Sequence, residues 1–172
     1  MRFILVDRIH ELVAGKTIVA EKTLSPEEEL FRDHFPGFAV VPGVLLIEMM
    51  AQAGGKCLDA ESQPRGYAML AQIRSASFRQ WVRPGETARI FATIVVSQPD
   101  YATARCHIEV AERTVCSAEL MFAFVPAEQF VIGYRDPVLQ AYLEGQPATC
   151  EANASIGGGK LRCDYRDAEP RA

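Results

Sequence analysis

Residues 44–53 read Val-Leu-Leu-Ile-Glu-Met-Met-Ala-Gln-Ala, and winding them into a helix leaves no broad polar face. A helix on a protein surface needs only one apolar stripe, whereas one that is apolar nearly all round must be enclosed. The rest of the chain therefore has to supply a wrapper. Glu48 and Gln52, the polar members of this run, are spaced i, i+4, so they share one stripe and project into the same small volume. The Gly54-Gly55 pair that follows is read as weakening or ending the helix.

Period-two patterning identifies the wrapper. In residues 105–110, Cys106, Ile108 and Val110 alternate with Arg105, His107 and Glu109, and in 116–124 the apolar set is Cys116, Ala118, Leu120, Phe122 and Phe124. Further strand-like runs are expected at 67–73, 76–82 and 87–96, with breaks at Pro84-Gly85 and Gln98-Pro99-Asp100. Residues 17–22, between Gly15 and Ser25, suit another strand, and the apolar start Phe3-Ile4-Leu5-Val6 is read as a strand too. Ser25-Pro26-Glu27-Glu28 has a capping serine, a proline at the first helical position and a glutamate to close a capping box, which predicts a short helix to about residue 31. Such alternation means antiparallel sheet with one covered face, so the fold class is α+β, with a sheet curling around one long helix.

A chain of 172 residues suits one catalytic domain, expected over residues 1–126. Residues 127–172 form an extension with a short helix at about 137–144, signalled by Asp136-Pro137 and Gly145, and then a flexible tail. The tail's Gly157-Gly158-Gly159-Lys160 lacks the first glycine of a phosphate loop and has Leu161 where a magnesium-binding hydroxyl belongs. The net charge of -4 is spread along the chain, which excludes a basic nucleic-acid stripe. The apolar stretch over 40–55 is broken by Pro42 and Glu48 and is shorter than the ~20 residues of a membrane span. No signal peptide is expected. The 5 cysteines have no CxxC or Cys/His ligand spacing, so a reduced cytoplasmic chain without a metal site is expected.

Chemistry concentrates just before the buried helix. His34-Phe35-Pro36-Gly37 and Pro42-Gly43 place an imidazole in a loop whose path is restricted by prolines and relaxed by glycines at set points. His34 is the candidate base. Glu48, in apolar surroundings, is expected to hold its proton more tightly than usual and to act as the acid. Gly43 stands at the helix start, where unpaired amides and the dipole can polarise a carbonyl oxygen. These roles fit removal of a proton α to a carbonyl with loss of a β leaving group, chemistry that requires no metal or redox cofactor. His10 and His107 are expected on polar, solvated surfaces.

His34-Phe35-Pro36-Gly37, Pro42-Gly43-Val44-Leu45, and Glu48 followed by Ala51-Gln52-Ala53-Gly54-Gly55 closely resemble the signature of the β-hydroxyacyl-acyl carrier protein dehydratases. The resemblance extends to Ile4-Leu5-Val6-Asp7-Arg8, Phe78-Arg79, Val82-Arg83-Pro84-Gly85 and Ser117-Ala118-Glu119-Leu120-Met121-Phe122, and so spans about residues 3–124. It implies the hotdog fold and conversion of (3R)-hydroxyacyl thioesters to trans-2-enoyl thioesters in fatty acid or related acyl-chain synthesis.

By the same resemblance His34 and Glu48 are the catalytic pair, Gly43 offers its amide to the thioester carbonyl, and Gln52 supports the carboxylate. It also implies a substrate carried on the phosphopantetheine of acyl carrier protein, and a homodimer or trimer of dimers with sites shared across the dimer interface. Glutamate at 48, where the isomerising relatives have aspartate, implies dehydration alone. Arg65, Arg74, Arg79 and Arg83 are candidates for a basic rim, with Arg79 and Arg83 chosen as carrier-protein or phosphopantetheine contacts. Asp33, Ala39 and the glycine-free turn at 111–113 depart from the family pattern, and Asp33 is expected to face solvent. The competing functions are a thioesterase or enoyl-coenzyme A hydratase on the same fold, and a non-catalytic acyl-binding subunit.

Overall fold

The computed structural model describes residues 3–61, 65–126, 129 and 134–145. Six strands form one antiparallel sheet: β1 (Arg8–Val13), β2 (Thr17–Thr23), β3 (Tyr67–Phe78), β4 (Thr87–Ser97), β5 (Tyr101–Val110) and β6 (Arg113–Val125), in the spatial order β1-β2-β4-β5-β6-β3. Among the described residues three helices accompany them: α1 (Leu30–Asp33), α2 (Gly43–Asp59) and α3 (Pro137–Leu143).

The sheet curls around α2 because its inner face is built small. Ala92 on β4, Cys106 on β5 and Ala118 on β6 lie opposite one another in a single cross-strand row, and Ala20, Ala88, Ala102 and Ala104 are buried on the same side. Short side chains let a helix approach the sheet closely, and Met49, Met50, Ala53, Cys57 and Leu58 fill the remaining space. Larger residues, Ile18, Ile90, Ile108, Leu120 and Phe122, close the core around them.

Gly54 and Gly55 do not end α2, which continues to Asp59. A β-carbon on Gly54 would lie 2.8 Å from the Phe122 ring, so this glycine exists for close helix–sheet contact and not for helix termination. Three other expectations need correction. Residues 3–7 are not a strand, since the Leu5 amide is given to a side chain of α2, and regular pairing begins at Arg8. Ser25 caps a turn, accepting from the amide of Glu27, while the helix itself starts at Leu30. The runs at 67–73 and 76–82 do not form two strands. The first passes into Ala76–Phe78 as the single strand β3, which absorbs the break with bulges at Leu70/Gln72 and Ile73/Ser75. The remainder turns away, and the Val82 carbonyl accepts from the Val41 amide at 2.7 Å.

α3 follows its capping signals, with Asp136 Oδ1 accepting from the amides of Val138 and Leu139. Val138 and Leu139 are buried, and α3 packs against β1. The glycine-rich stretch at 155–160, Cys150 and Cys163 lie outside the described residues. No helix among the described residues is long and apolar enough to cross a membrane.

Candidate active site

His34 terminates α1, where its amide donates to the Leu30 carbonyl and its ψ of 95° turns the chain out of the helix. Phe35 adopts a left-handed φ of 55°, costly for an aromatic residue, and its ring packs on the imidazole at 4.5 Å between centroids. The Phe38 amide then donates to the Phe35 carbonyl at 2.8 Å, closing a tight turn with Pro36 second and Gly37, at φ 83°, third. Proline and glycine in those places are the requirements of a type II turn. The Pro/Gly pattern thus fixes where the half-buried imidazole of His34 stands.

The loop next reaches α2. Val82 holds Val41, and Pro42 caps the helix with its carbonyl facing the amide of Leu45 at 2.9 Å. The first amides of α2, at Gly43 and Val44, have no acceptor within the helix. Phe78 closes over Gly43, where a β-carbon would meet the ring at 2.9 Å. The ring occupies the space that a side chain at 43 would take.

Glu48 and Gln52 lie together on the stripe of α2 turned away from the core. The Gln52 amide nitrogen donates to Glu48 Oε1 at 3.0 Å and to the Phe3 carbonyl at 3.2 Å, while its oxygen accepts from the Leu5 amide at 2.8 Å. Val44 on this stripe is 71% exposed, and Ile47 and Glu48 are half-buried. The expectation of a helix enclosed on every side therefore fails in the single chain, because the sheet covers only one side of α2. Among the described residues no hydrogen bond or ion pair joins His34 to Glu48. Each is held separately, one by its loop and the other by its glutamine.

Arg83 stands 5.1 Å from the Phe38 ring centroid, and Phe38 meets Trp81 edge-on at 5.9 Å. Arg79 is exposed nearby in sequence, its amide donating to the Val115 carbonyl. Arg74 is exposed on β3. Arg65 does not serve a rim. Its guanidinium binds Glu61 Oε2 and Ser97 Oγ as well as the Gln98 carbonyl, and lies 4.2 Å over Phe124, clamping the far end of α2 to the sheet. Asp33 is exposed, as expected.

His10, on β1, pairs with Glu21 at 2.8 Å, and His107 stacks on Phe91 at 4.5 Å. The thiols of Cys57, Cys106 and Cys116 are pushed up to about 11, 12 and 11 by burial, which leaves them neutral packing groups. No cluster of three or more His, Cys, Asp or Glu able to hold a metal occurs among the described residues. Two features of the site escaped sequence reasoning. The backbone groups that orient Gln52 have no residue signature, and Trp81 was assigned to a strand, although an exposed tryptophan between arginines could have flagged a surface contact.

Residues 1–119 match the FabA-like domain family. The chain is 37% identical over 126 residues, 73% of this chain and 85% of the relative, to a 3-hydroxyacyl-[acyl-carrier-protein] dehydratase FabZ of Levilactobacillus brevis. It is 40% identical over 122 residues, 70% of this chain and 86% of the relative, to the enzyme of the same name from Desulforamulus reducens. Among solved structures, the dehydratase heterocomplex ApeI:P from Xenorhabdus doucetiae aligns with a TM-score of 0.58 at 15% identity, covering 74% of this chain and 86% of that one, a likeness of fold. The chain adopts the hotdog fold and belongs to the 3-hydroxyacyl-[acyl-carrier-protein] dehydratase family.

Proposed function

We propose that the chain dehydrates (3R)-3-hydroxyacyl thioesters of acyl carrier protein to trans-2-enoyl thioesters, with His34 as base and Glu48 as acid. The observation that carries this reading is the outward stripe of α2, where Glu48 is oriented by Gln52 toward a surface that its own sheet leaves open. The cycle starts with His34 neutral and Glu48 carrying a proton. His34 takes the α proton while the Gly43 amide stabilises negative charge on the thioester oxygen. Glu48 gives its proton to the β hydroxyl, the carbon–oxygen bond breaks, and water leaves. Transfer of the proton from His34 back to Glu48 through solvent resets the site. No other co-reactant enters the balance.

The site is completed by a second copy of the chain. β3 is an edge strand, exposed from Met69 to Phe78, and presents Met69, Leu70, Ile73 and Phe78 beside an open row of backbone groups. Antiparallel pairing of two such edges would join the sheets and cover the outward stripes of α2. The histidine loop of one copy then serves the glutamate of the other, and the acyl chain runs along the interface. Arg83, with Phe38 and Trp81, and Arg79 offer guanidinium groups to the phosphopantetheine phosphate and the acidic carrier protein. The protein works in the cytoplasm, where that carrier is found.

The test is incubation with a 3-hydroxyacyl carrier protein, measuring enoyl thioester. His34→Ala and Glu48→Gln should each lose roughly 10²–10⁴-fold in kcat. Release of free acid would favour a thioesterase, and no turnover by the wild type a non-catalytic acyl-binding subunit. Co-refolding the two inactive variants should restore about a quarter of the wild-type activity, because half the dimers are mixed and each mixed dimer has one intact site. No recovery would defeat the shared site.

A further inference from the structure

Both N–H groups and the oxygen of the Gln52 side-chain amide have partners. Its oxygen faces a backbone donor, the Leu5 amide, and its two N–H groups face two acceptors, the Phe3 carbonyl and Glu48 Oε1. Rotating the amide by half a turn would set its oxygen against two acceptors and its nitrogen against a donor, so the flipped state is excluded. The orientation of Gln52 is thus dictated by the backbone of residues 3–5.

That backbone is itself held. Leu5 and Val6 are fully buried. Asp7 fixes the segment to β2 by three bonds: its amide donates to the Glu21 carbonyl at 2.8 Å, Oδ1 accepts from Lys22 Nζ at 2.6 Å, and Oδ2 accepts from the Thr23 amide at 2.9 Å. Hydrogen bonds thus anchor the segment to β2 at Asp7 and to Gln52 at Phe3 and Leu5, and Gln52 passes the anchoring on to Glu48.

We propose that residues 3–7 are a positioning element for Glu48, selecting through Gln52 which carboxyl oxygen carries the proton. Because Oε1 accepts from the Gln52 N–H, a role the carbonyl-type oxygen of a carboxylic acid fills better than its hydroxyl, the proposal assigns the proton to Oε2, the oxygen left for the leaving hydroxyl. Phe3, Leu5 and Asp7 need not touch substrate for this role. The block Ile4-Leu5-Val6-Asp7-Arg8 precedes His34 and α2 in the chain, yet it bears directly on the chemistry. This inference rests on Glu48 being the acid.

The experiment uses the full chain as wild type, Gln52→Met, Asp7→Ala and Asp7→Asn, with kcat and KM measured against pH on a 3-hydroxyacyl carrier protein. Glu48 is titrated directly by NMR of protein labelled with ¹³Cδ-glutamate, its signal assigned by Glu48→Gln. The Gln52 N–H stabilises the charged carboxylate, so its loss in Gln52→Met should raise the Glu48 midpoint by about one pH unit and move the alkaline limb of kcat upward with it. kcat should fall roughly 10- to 100-fold with KM little changed. Asp7→Ala should shift the midpoint in the same direction by less, and Asp7→Asn, whose side-chain oxygen can still accept from Thr23, should restore part of the difference. A lower melting temperature or kcat with the Glu48 midpoint unmoved in both Gln52→Met and Asp7→Ala would reduce the segment to a structural role and overturn the proposal. Full activity in Glu48→Gln would instead overturn the assignment of the acid, whatever the titration gave.

Discussion

At its N-terminal end α2 meets a loop of exposed aromatic rings and strained backbone, whereas at its C-terminal end it is closed by charge. The first end has Gly43 beneath Phe78, a left-handed Phe35, and Trp81 at 68% exposure. The second has Lys56 paired with Asp136 at 2.6 Å, Asp59 accepting from the Ala68 amide, and the Arg65 clamp. Asp136 serves twice, since its other oxygen caps α3. One end carries the candidate catalytic residues, and the other is pinned by ion pairs and hydrogen bonds beside a cavity lined by Asp59, Tyr67, Tyr134 and Asp136, so substitutions should separate activity from stability according to the end they touch.

The largest stability effect should come from the closed end. Lys56→Met leaves Asp136 without its cation in a buried setting and should cost about 3 kcal/mol or more, read as a lower midpoint in urea, with kcat/KM of the folded protein unchanged. A matching loss of kcat/KM would break the contrast between the ends. Two glycines of α2 sharpen it next. Gly43→Ala needs the Phe78 ring to yield, and at 51% exposure it can, so folding should be nearly intact while kcat falls roughly 10²-fold as the carbonyl site is displaced. Gly54→Ala presses on Phe122, which is 1% exposed and cannot yield, so about 1–3 kcal/mol of stability should be lost with kcat preserved.

A smaller effect carries a sign that depends on pH. Burial, with Asp136 adding to it, pushes the Asp59 carboxyl from 3.8 up to about 6. The folded state therefore binds this proton more tightly than the unfolded chain, and the group's contribution is present below the unfolded value and lost as pH rises through about 6. Asp59→Asn, whose side-chain oxygen can still accept from Ala68, should stabilise the protein by about 1–2 kcal/mol at pH 8 and by nothing at pH 4, measured by melting at each pH. Equal shifts at both pH values would exclude ionisation as the cause. The smallest change is at the β5–β6 turn, where Ala111 and Glu112 both have positive φ, 48° and 62°. Ala111→Asn with Glu112→Gly should add about 0.5–1 kcal/mol, since those residues suit a type I′ hairpin.

The contrast between the ends also explains what the sequence disclosed. Glu48 and Gln52 were legible as a pair because i, i+4 spacing on an apolar helix leaves little choice of where they point, and β5 and β6 because Cys106, Ile108, Ala118, Leu120 and Phe122 all face α2. β3 was misread as two strands because it lies at an edge with nearly all its residues exposed, so no alternation of burial disciplines its sequence. The extent of α2 past Gly54 was hidden for a related reason. A glycine chosen for contact with Phe122 cannot be told from one chosen to end a helix until the ring's position is known. The anchoring of Gln52 was hidden because its partners are peptide groups, which every residue possesses.

The row of small residues at Ala92, Cys106 and Ala118 draws α2 so far into the sheet that the concave side is spent on folding. The opposite side of the same helix, where Val44 is 71% exposed, is left open by its own chain. Val44 contributes little to the core of its own chain, and under the proposed shared site it could be exchanged to suit longer or shorter acyl groups while the inward methionines keep the domain folded. On that reading, inheritance of the fold and adaptation of substrate range would act on two faces of one helix, and selection could alter one face without unsettling the other.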